Sequence, residues 1–259
     1  MDGFWNIKKT GNMRVADNTL LLEGLPGIGN VGKITVDFII ETLNAKKIYE
    51  IYSNSFPNCV FVNEKGLTEL PKVEIYHKKL KNNELFLVSG DVQPVDEKEC
   101  YEFCEKLLEL FQKNKGTEII TLGGIGMREM PKSPKVYCAG TDKGIIDKYK
   151  KEGAGDAAGM VGPIVGVSGV LLGMAKMKGM KGATLLVETL GHPTYLGIKE
   201  ARELLKIINK ILKLGLDMDS INNEVKLIEK EVKTKIERFD LSKEEKGKRL
   251  RKEVINYIG

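Results

Sequence analysis

The sequence predicts an α/β fold, a sheet covered by helices on both faces, followed by a charged helical extension. Three observations carry this. Short apolar runs bounded by glycine, asparagine or proline alternate with longer stretches in which apolar residues recur every three or four positions, the pattern of strands alternating with helices. With 42% hydrophobic and 30% charged residues over 259 positions, the composition is that of a folded domain long enough to bury a large core without disulfides or metals. After Gly215 the strand-like runs stop and two charged helical stretches begin, so a core of residues 1–216 and an extension of residues 217–259 are expected.

Strands are expected at residues 19–23, 47–52, 59–63, 73–77, 84–89, 118–122, 136–139 and 183–188, each an apolar run bounded by turn formers. Helices are expected at residues 31–43, 97–114, 141–150, 163–177 and 197–214, where the apolar period changes from two to about 3.6. Residues 59–89 read as an inserted hairpin region turning at Gly66 and at Asn82-Asn83. Pro163 suits a first helical turn, and Gly166, Gly169 and Gly173 read as a stripe that brings this helix backbone close to a neighbour. In the extension, Val225, Ile228, Val232, Ile236 and Phe239 form a narrow apolar stripe at helical spacing. The stripe either folds back on the core or joins subunits, and self-association is assigned to it on the second reading. Ser242 with Glu245 makes a capping box opening a last helix that carries Leu250, Val254 and Ile255.

Charge excludes more than it assigns. The 41 basic and 36 acidic side chains leave a net charge of +5, too balanced for the electrostatic footprint of a nucleic-acid binder. Residues 220–259 supply three of the five charges, with 11 Lys and Arg against 8 Asp and Glu. Residues 157–175 carry no charge, yet a helix from Pro163 to Lys176 would reach only about 20 Å, short of the ~30 Å hydrocarbon layer, so no membrane span is expected. Residues 1–10 hold no apolar signal-type core and four cysteines make no disulfide framework, which predicts a reducing, cytoplasmic setting.

One motif is chemically suggestive. Gly27, Gly29 and Gly32 satisfy G-x-G-x-x-G directly after a strand and at the start of a helix, with Asn30 between them. That is the context in which backbone amides approach a pyrophosphate. The next expected strand ends at Tyr52-Ser53 without the acidic residue a ribose contact requires, leaving Glu50 inside the strand. The same stretch nearly reads as a P-loop through Lys33, but position 34 is Ile, and Thr35 falls on another side of the helix from a magnesium ligand. The glycines serve either a ligand turn or close packing. Asp91, Glu188 and His192 fall near strand ends, where open α/β sheets hold ligands, and Asp156 sits in a glycine-rich loop. A nucleotide- or nucleoside-binding enzyme using these groups is therefore the alternative function, although Asp and Glu in such loops also serve as caps. Cys100 and Cys104 share a helix face among Phe103, Leu107 and Leu108 and read as buried packing thiols. With His77 and His192 as the two histidines, no metal ligand set emerges.

Four ordered blocks carry a resemblance: residues 24–32 (GLPGIGNVG), Leu122-Gly123-Gly124, residues 166–175 (GVSGVLLGMA) and residues 186–193 (LVETLGHP). In this order, across about residues 20–216, the chain resembles the archaeal proteasome assembly chaperone family, homologues of eukaryotic proteasome assembly chaperone two. The resemblance implies a three-layer α/β fold similar to the phosphorylase/hydrolase-like fold, an oligomeric protein and no established catalytic centre, so no catalytic residue, metal or cofactor is assigned. It also implies proteasome α subunits as partner. Val254, Ile255, Tyr257, Ile258 and Gly259 are the expected contact, although Tyr257 stands one position away from the hydrophobic-Tyr-X ending common among proteasome-binding proteins.

Overall fold

The structure, a computed structural model, describes residues 4–11, 18–159, 162–219 and 221. The chain divides into a compact unit, Met1–Leu216, and a second unit, Asp217–Gly259. The apolar stripe at Val225, Ile228, Val232, Ile236 and Phe239 and the contact expected at Val254, Ile255, Tyr257, Ile258 and Gly259 lie outside the described residues.

The first unit runs β1 (Trp5–Lys9), β2 (Thr19–Glu23), a 3-10 turn (Ile28–Asn30), α1 (Val31–Thr42), β3 (Lys46–Ser53), β4 (Phe61–Val62), β5 (Thr68–Glu69), β6 (Val73–Lys79) and β7 (Glu84–Gly90). It continues through α2 (Glu97–Lys113), β8 (Gly116–Met127), β9 (Val136–Gly140), α3 (Lys143–Lys151), β10 (Gly155–Asp156), α4 (Val167–Met177), β11 (Lys181–Leu190) and α5 (Ile198–Leu212). Nine strands make one mixed sheet in the order β1-β3-β6-β7-β2-β8-β11-β9-β10. Its centre, β7-β2-β8-β11, is parallel, and antiparallel strands flank it. Helices α1 and α5 pack together, as do α2 and α4, and the pairs enclose the sheet as a three-layer α/β architecture.

Local chemistry explains the elements. Every residue of β2 and β7 is buried, as a strand covered on both faces requires. Helix α2 begins where the Asp96 carboxylate accepts the Lys98 amide at 2.8 Å, and α3 where Asp142 accepts Ile145 N–H at 3.0 Å. On α2 the buried set is Cys100, Phe103, Cys104, Leu107, Leu108 and Phe111, one face at helical spacing. Burying Phe103 and Phe111 contributes about 1.5–3 kcal/mol each. The exposed Lys106–Glu109 pair on the same helix is worth under ~1 kcal/mol, so the apolar face holds α2. Cys59, Cys100, Cys104 and Cys138 are all free thiols.

Several boundaries differ from expectation. β1 was not anticipated, although Trp5 and Ile7 are half-buried while Asn6 and Lys8 are exposed, a period of two in four residues. The strand expected at residues 59–63 is only Phe61–Val62, paired with β5 in a separate two-stranded ribbon turning at Gly66. Pro163 lies outside α4: Gly166 has φ +84°, which a helix cannot continue through, and the Gln93 side chain accepts the Val167 amide at 3.1 Å. Within α4, a Cβ on Gly169 would lie 2.0 Å from the Ile164 carbonyl, whereas one on Gly173 would meet nothing. The stripe thus serves close packing at Gly169 and not at Gly173. Among the described residues no helix is long and apolar enough to cross a membrane.

In the sheet centre, register sets Glu23 opposite Thr121 and Thr121 opposite Thr184. The hydroxyls of Thr121 and Thr184 are buried and make no hydrogen bond, at a cost of about 1–3 kcal/mol each. Thr184→Val keeps the shape and removes the hydroxyl, so it should stabilise the fold by about 1 kcal/mol. Urea unfolding monitored by circular dichroism measures this; an equal loss of stability would show that the hydroxyl is satisfied.

Candidate functional site

The chain leaves β2 toward β3 on one side and returns through α2 to β8 on the other. Open α/β sheets accept ligands at such a reversal, beyond the carboxyl ends of the strands. β2 ends at Glu23 opposite Thr121, while β8 continues beside β11 to Met127. From Leu122 onward β8 therefore has no strand on its β2 side. The turn after β2 and the loop before α4 close over this edge and leave a cavity of about 420 Å³, lined by Leu25–Ile28, Gly32, Gln93, Leu122–Gly126, Gly162–Gly166, Ser168 and Leu186.

The glycines have different reasons. A Cβ on Gly24 would stand 2.2 Å from the Gly32 carbonyl oxygen, and one on Gly32 would stand 2.7 Å from that of Leu122. Gly29 has φ +64°, and its Cβ would lie 2.6 Å from Thr189 Oγ1. A Cβ on Gly124 would lie 2.5 Å from the Ile28 carbonyl oxygen. These four let the turn lie against β8 and β11. Gly27 is unlike them: its φ is −159°, a Cβ there would meet nothing within 4 Å, and it faces the cavity. Asn30, at φ +51°, is the residue before α1 and makes no side-chain cap.

Neither nucleotide motif is completed. The Thr35 hydroxyl is buried and donates to the Val31 carbonyl at 2.7 Å, and Lys33 pairs with Asp37 at 2.8 Å, so neither serves as in a P-loop. Glu50 sits on β3, separated from β2 by β6 and β7, and is paired with Lys47. The strand-end acids are structural. Asp91 accepts the Lys72 amide at 3.3 Å, and Glu188 accepts Tyr137 O–H at 3.0 Å and Lys135 N–H at 3.1 Å. Asp156 pairs with Lys150 at 2.9 Å, and His192 is exposed beside Thr194. None of these four lines the cavity, and among the described residues its lining holds no Lys, Arg or His. Among the described residues no group of His, Cys, Asp or Glu is placed to hold a metal.

The group that does underlie the cavity is Glu23, which sequence reasoning missed. Its carboxyl is fully buried, accepting Leu25 N–H at 3.0 Å and Ser168 O–H at 2.8 Å. Burial pushes its pKa from 4.5 up to about 7, against the lowering effect of those two donors. The Ser168 hydroxyl also lies 3.3 Å from the Leu122 carbonyl, so a protonated Glu23 can donate to Ser168 while Ser168 donates to Leu122. Gln93 straps the two loops together, donating to the Pro26 carbonyl at 2.8 Å and accepting from Val167. The available signal was an acid closing the run Leu20-Leu21-Leu22 of a fully buried strand.

A second surface feature is apolar. Val60, Phe61, Val62, Leu67 and Leu70 on and around the β4–β5 ribbon are 43–65% exposed, with Phe4 beside them at 64%. Of these, Phe4, Val60 and Leu70 line an open groove of about 810 Å³ that also includes Tyr52 and Pro57. Clustered exposure of this kind marks interaction surfaces.

Two measurements follow from the turn. Gly24→Ala should cost about 1–3 kcal/mol because backbone must move, whereas Gly27→Ala should leave stability within about 0.5 kcal/mol or raise it; equal losses in urea unfolding would contradict the packing assignment. Because the folded-state pKa of Glu23 is raised, the native state binds the extra proton between about pH 4.5 and 7, and stability falls as pH rises through that window by about 3 kcal/mol. Glu23→Gln should remove that slope and be the more stable protein at pH 8. A slope unchanged in the variant would show that other groups cause it.

Comparison with known proteins agrees with this architecture. The PAC2 family model matches residues 21–236. The chain is 27% identical over 257 residues to the uncharacterized protein MJ1210 of Methanocaldococcus jannaschii, covering 97% of this chain and 96% of that one. It is similar to the crystal structure of Pyrococcus furiosus PbaB, an archaeal proteasome activator, at 34% identity and a TM-score of 0.80, covering 90% of this chain and 98% of that one. It shares the fold of Pyrococcus furiosus PbaA, an archaeal homolog of proteasome-assembly chaperone, at 22% identity and a TM-score of 0.75, with 95% and 97% covered. The chain belongs to the PAC2 family, whose members include proteasome-assembly-chaperone-like proteins.

Proposed function

We propose that this protein is an oligomeric binding protein of the proteasome-assembly-chaperone type that contacts proteasome α subunits through Val254, Ile255, Tyr257, Ile258 and Gly259. The observation that carries the reading is the 34% identity to PbaB across 90% of this chain. The exposed apolar ribbon around Phe61 and Val62 suits a protein whose work is binding other proteins. Catalysis has weaker support, because Asp91, Asp156, Glu188 and His192 are engaged or held away from the cavity. In this reading Val225, Ile228, Val232, Ile236 and Phe239 serve self-association, and the basic excess of residues 220–259 favours an acidic surface on the partner.

Size-exclusion chromatography with light scattering tests the assignment, first on the protein alone and then mixed with α subunits from the same source. Co-elution is expected, together with its loss on deletion of residues 254–259 while the thermal midpoint stays within about 2 °C of the full chain, since the last few residues of a chain generally contribute little to stability. Undiminished co-elution of the truncated chain would remove the tail from the contact. Absence of co-elution by the full chain would remove the α subunits as partner.

A further inference from the structure

We propose that the cavity between the turn after β2 and the loop before α4 is a binding site for a small uncharged molecule bearing an amide- or lactam-type donor–acceptor pair.

The first ground is its shape. At about 420 Å³ the cavity falls within the range of ligand sites, roughly 300–1,000 Å³, and it occupies the strand-order reversal where open sheets place ligands. The second ground is Gly27. Gly24, Gly29 and Gly32 are each required by a carbonyl, a positive φ or a hydroxyl beside them, but Gly27 has an extended backbone and no neighbour to a Cβ. Gly27 is exposed and lines the cavity, so no side chain stands at that point of its wall. On the facing loop Gly162 repeats this, lining the cavity with nothing within 4 Å of a Cβ. Both positions are exposed and unhindered.

The walls select the chemistry. Leu25, Ile28, Ile164 and Leu186 give apolar sides, and among the described residues no Lys, Arg or His lines the cavity to neutralise a phosphate or carboxylate. That argues against the phosphate-bearing ligand expected from the glycine motif. The polar surface comes from the β8 edge beyond Thr121, which lacks a strand neighbour on the β2 side, and from Gln93 and Ser168. Strand edges present N–H and C=O groups to whatever lies beside them, and an amide or lactam offers the complementary pair in one plane. The hydrogen bond between Ser168 and Glu23 holds the hydroxyl at the cavity wall, and Gln93 fixes both loops, so the site is formed before any ligand arrives.

Saturation-transfer NMR on the full-length protein tests this with nicotinamide and uracil as uncharged amide and lactam probes, benzyl alcohol as an uncharged probe without an amide, and inorganic phosphate followed by thermal shift. Saturation transfer to nicotinamide or uracil at millimolar concentration is expected, with affinity falling about tenfold or more in Gly27→Leu. Gly162→Leu, which adds a side chain to the opposite wall, should do the same. Both variants should keep the wild-type unfolding midpoint within a few degrees, and if one fails to fold, the other carries the test. No transfer to either amide probe, transfer that survives both substitutions, equal transfer to benzyl alcohol, or a midpoint raised by phosphate would each overturn the proposal. Binding to α subunits is read separately by co-elution, so failure here leaves that assignment untouched.

Discussion

The close crossing of backbones where the chain leaves β2 is the constraint on which the rest of the arrangement depends. Gly24 passes beneath the Gly32 carbonyl, and Gly32 lies against the carbonyl of Leu122. A side chain at either position would overlap backbone atoms and force the segments joining the β2 turn, α1 and β8 to move apart. Because α1 also packs on α5, that displacement would reach a whole face of the sheet. The fold therefore concentrates its least substitutable positions at one end of its central strands.

The same end holds the most costly polar group of the core. Glu23 is buried on the central strand, where an ionised carboxylate is heavily penalised, and two hydrogen-bond donors offset that only in part. Its compensation is positional. By bonding both Leu25 N–H and Ser168 O–H, it fixes the start of the β2 turn and the start of α4 relative to one another. Gln93 makes a second tie between the same two segments. Two loops that would otherwise be free to spread are joined at two points, and the cavity lies between them.

Much of this was legible in the sequence and some was not, for identifiable reasons. The central strands and the five helices of the first unit announce themselves because both faces of the sheet are covered, so the apolar runs are long and their boundaries sharp. Residues 118–122 were expected as a strand, yet β8 runs to Met127, since Gly123, Gly124 and Gly126 read as breakers when they continue the strand and Gly124 admits the neighbouring turn, where a Cβ would lie 2.5 Å from the Ile28 carbonyl oxygen. β1 escaped notice because an edge strand buries only half of its side chains, here Trp5 and Ile7. In the candidate site, Gly27 and Gly32 were picked out by spacing, and both line the cavity. Spacing could not distinguish the glycine that packs from the glycine that leaves room, because that distinction is made by residues far along the chain, Leu122 and Thr189. Glu23 and Ser168 are 145 positions apart, and no local pattern joins them.

This separation of roles bears on how proteins of this family can vary. Packing glycines, the Glu23–Ser168 bond and the Gln93 strap all serve the interior end of the sheet, whereas the exposed apolar side chains around Phe61 and Val62 sit on a ribbon outside the nine-stranded sheet. The β4–β5 ribbon pairs only with itself, so substitutions there change what the surface attracts with little effect on the core. A change at Gly24 or Gly32 meets backbone atoms and cannot be absorbed by a side chain turning aside. The surface of the ribbon can therefore change while the sheet end stays sterically fixed. Gly27, exposed at the cavity wall within that fixed region, is a glycine that neither backbone conformation nor packing requires.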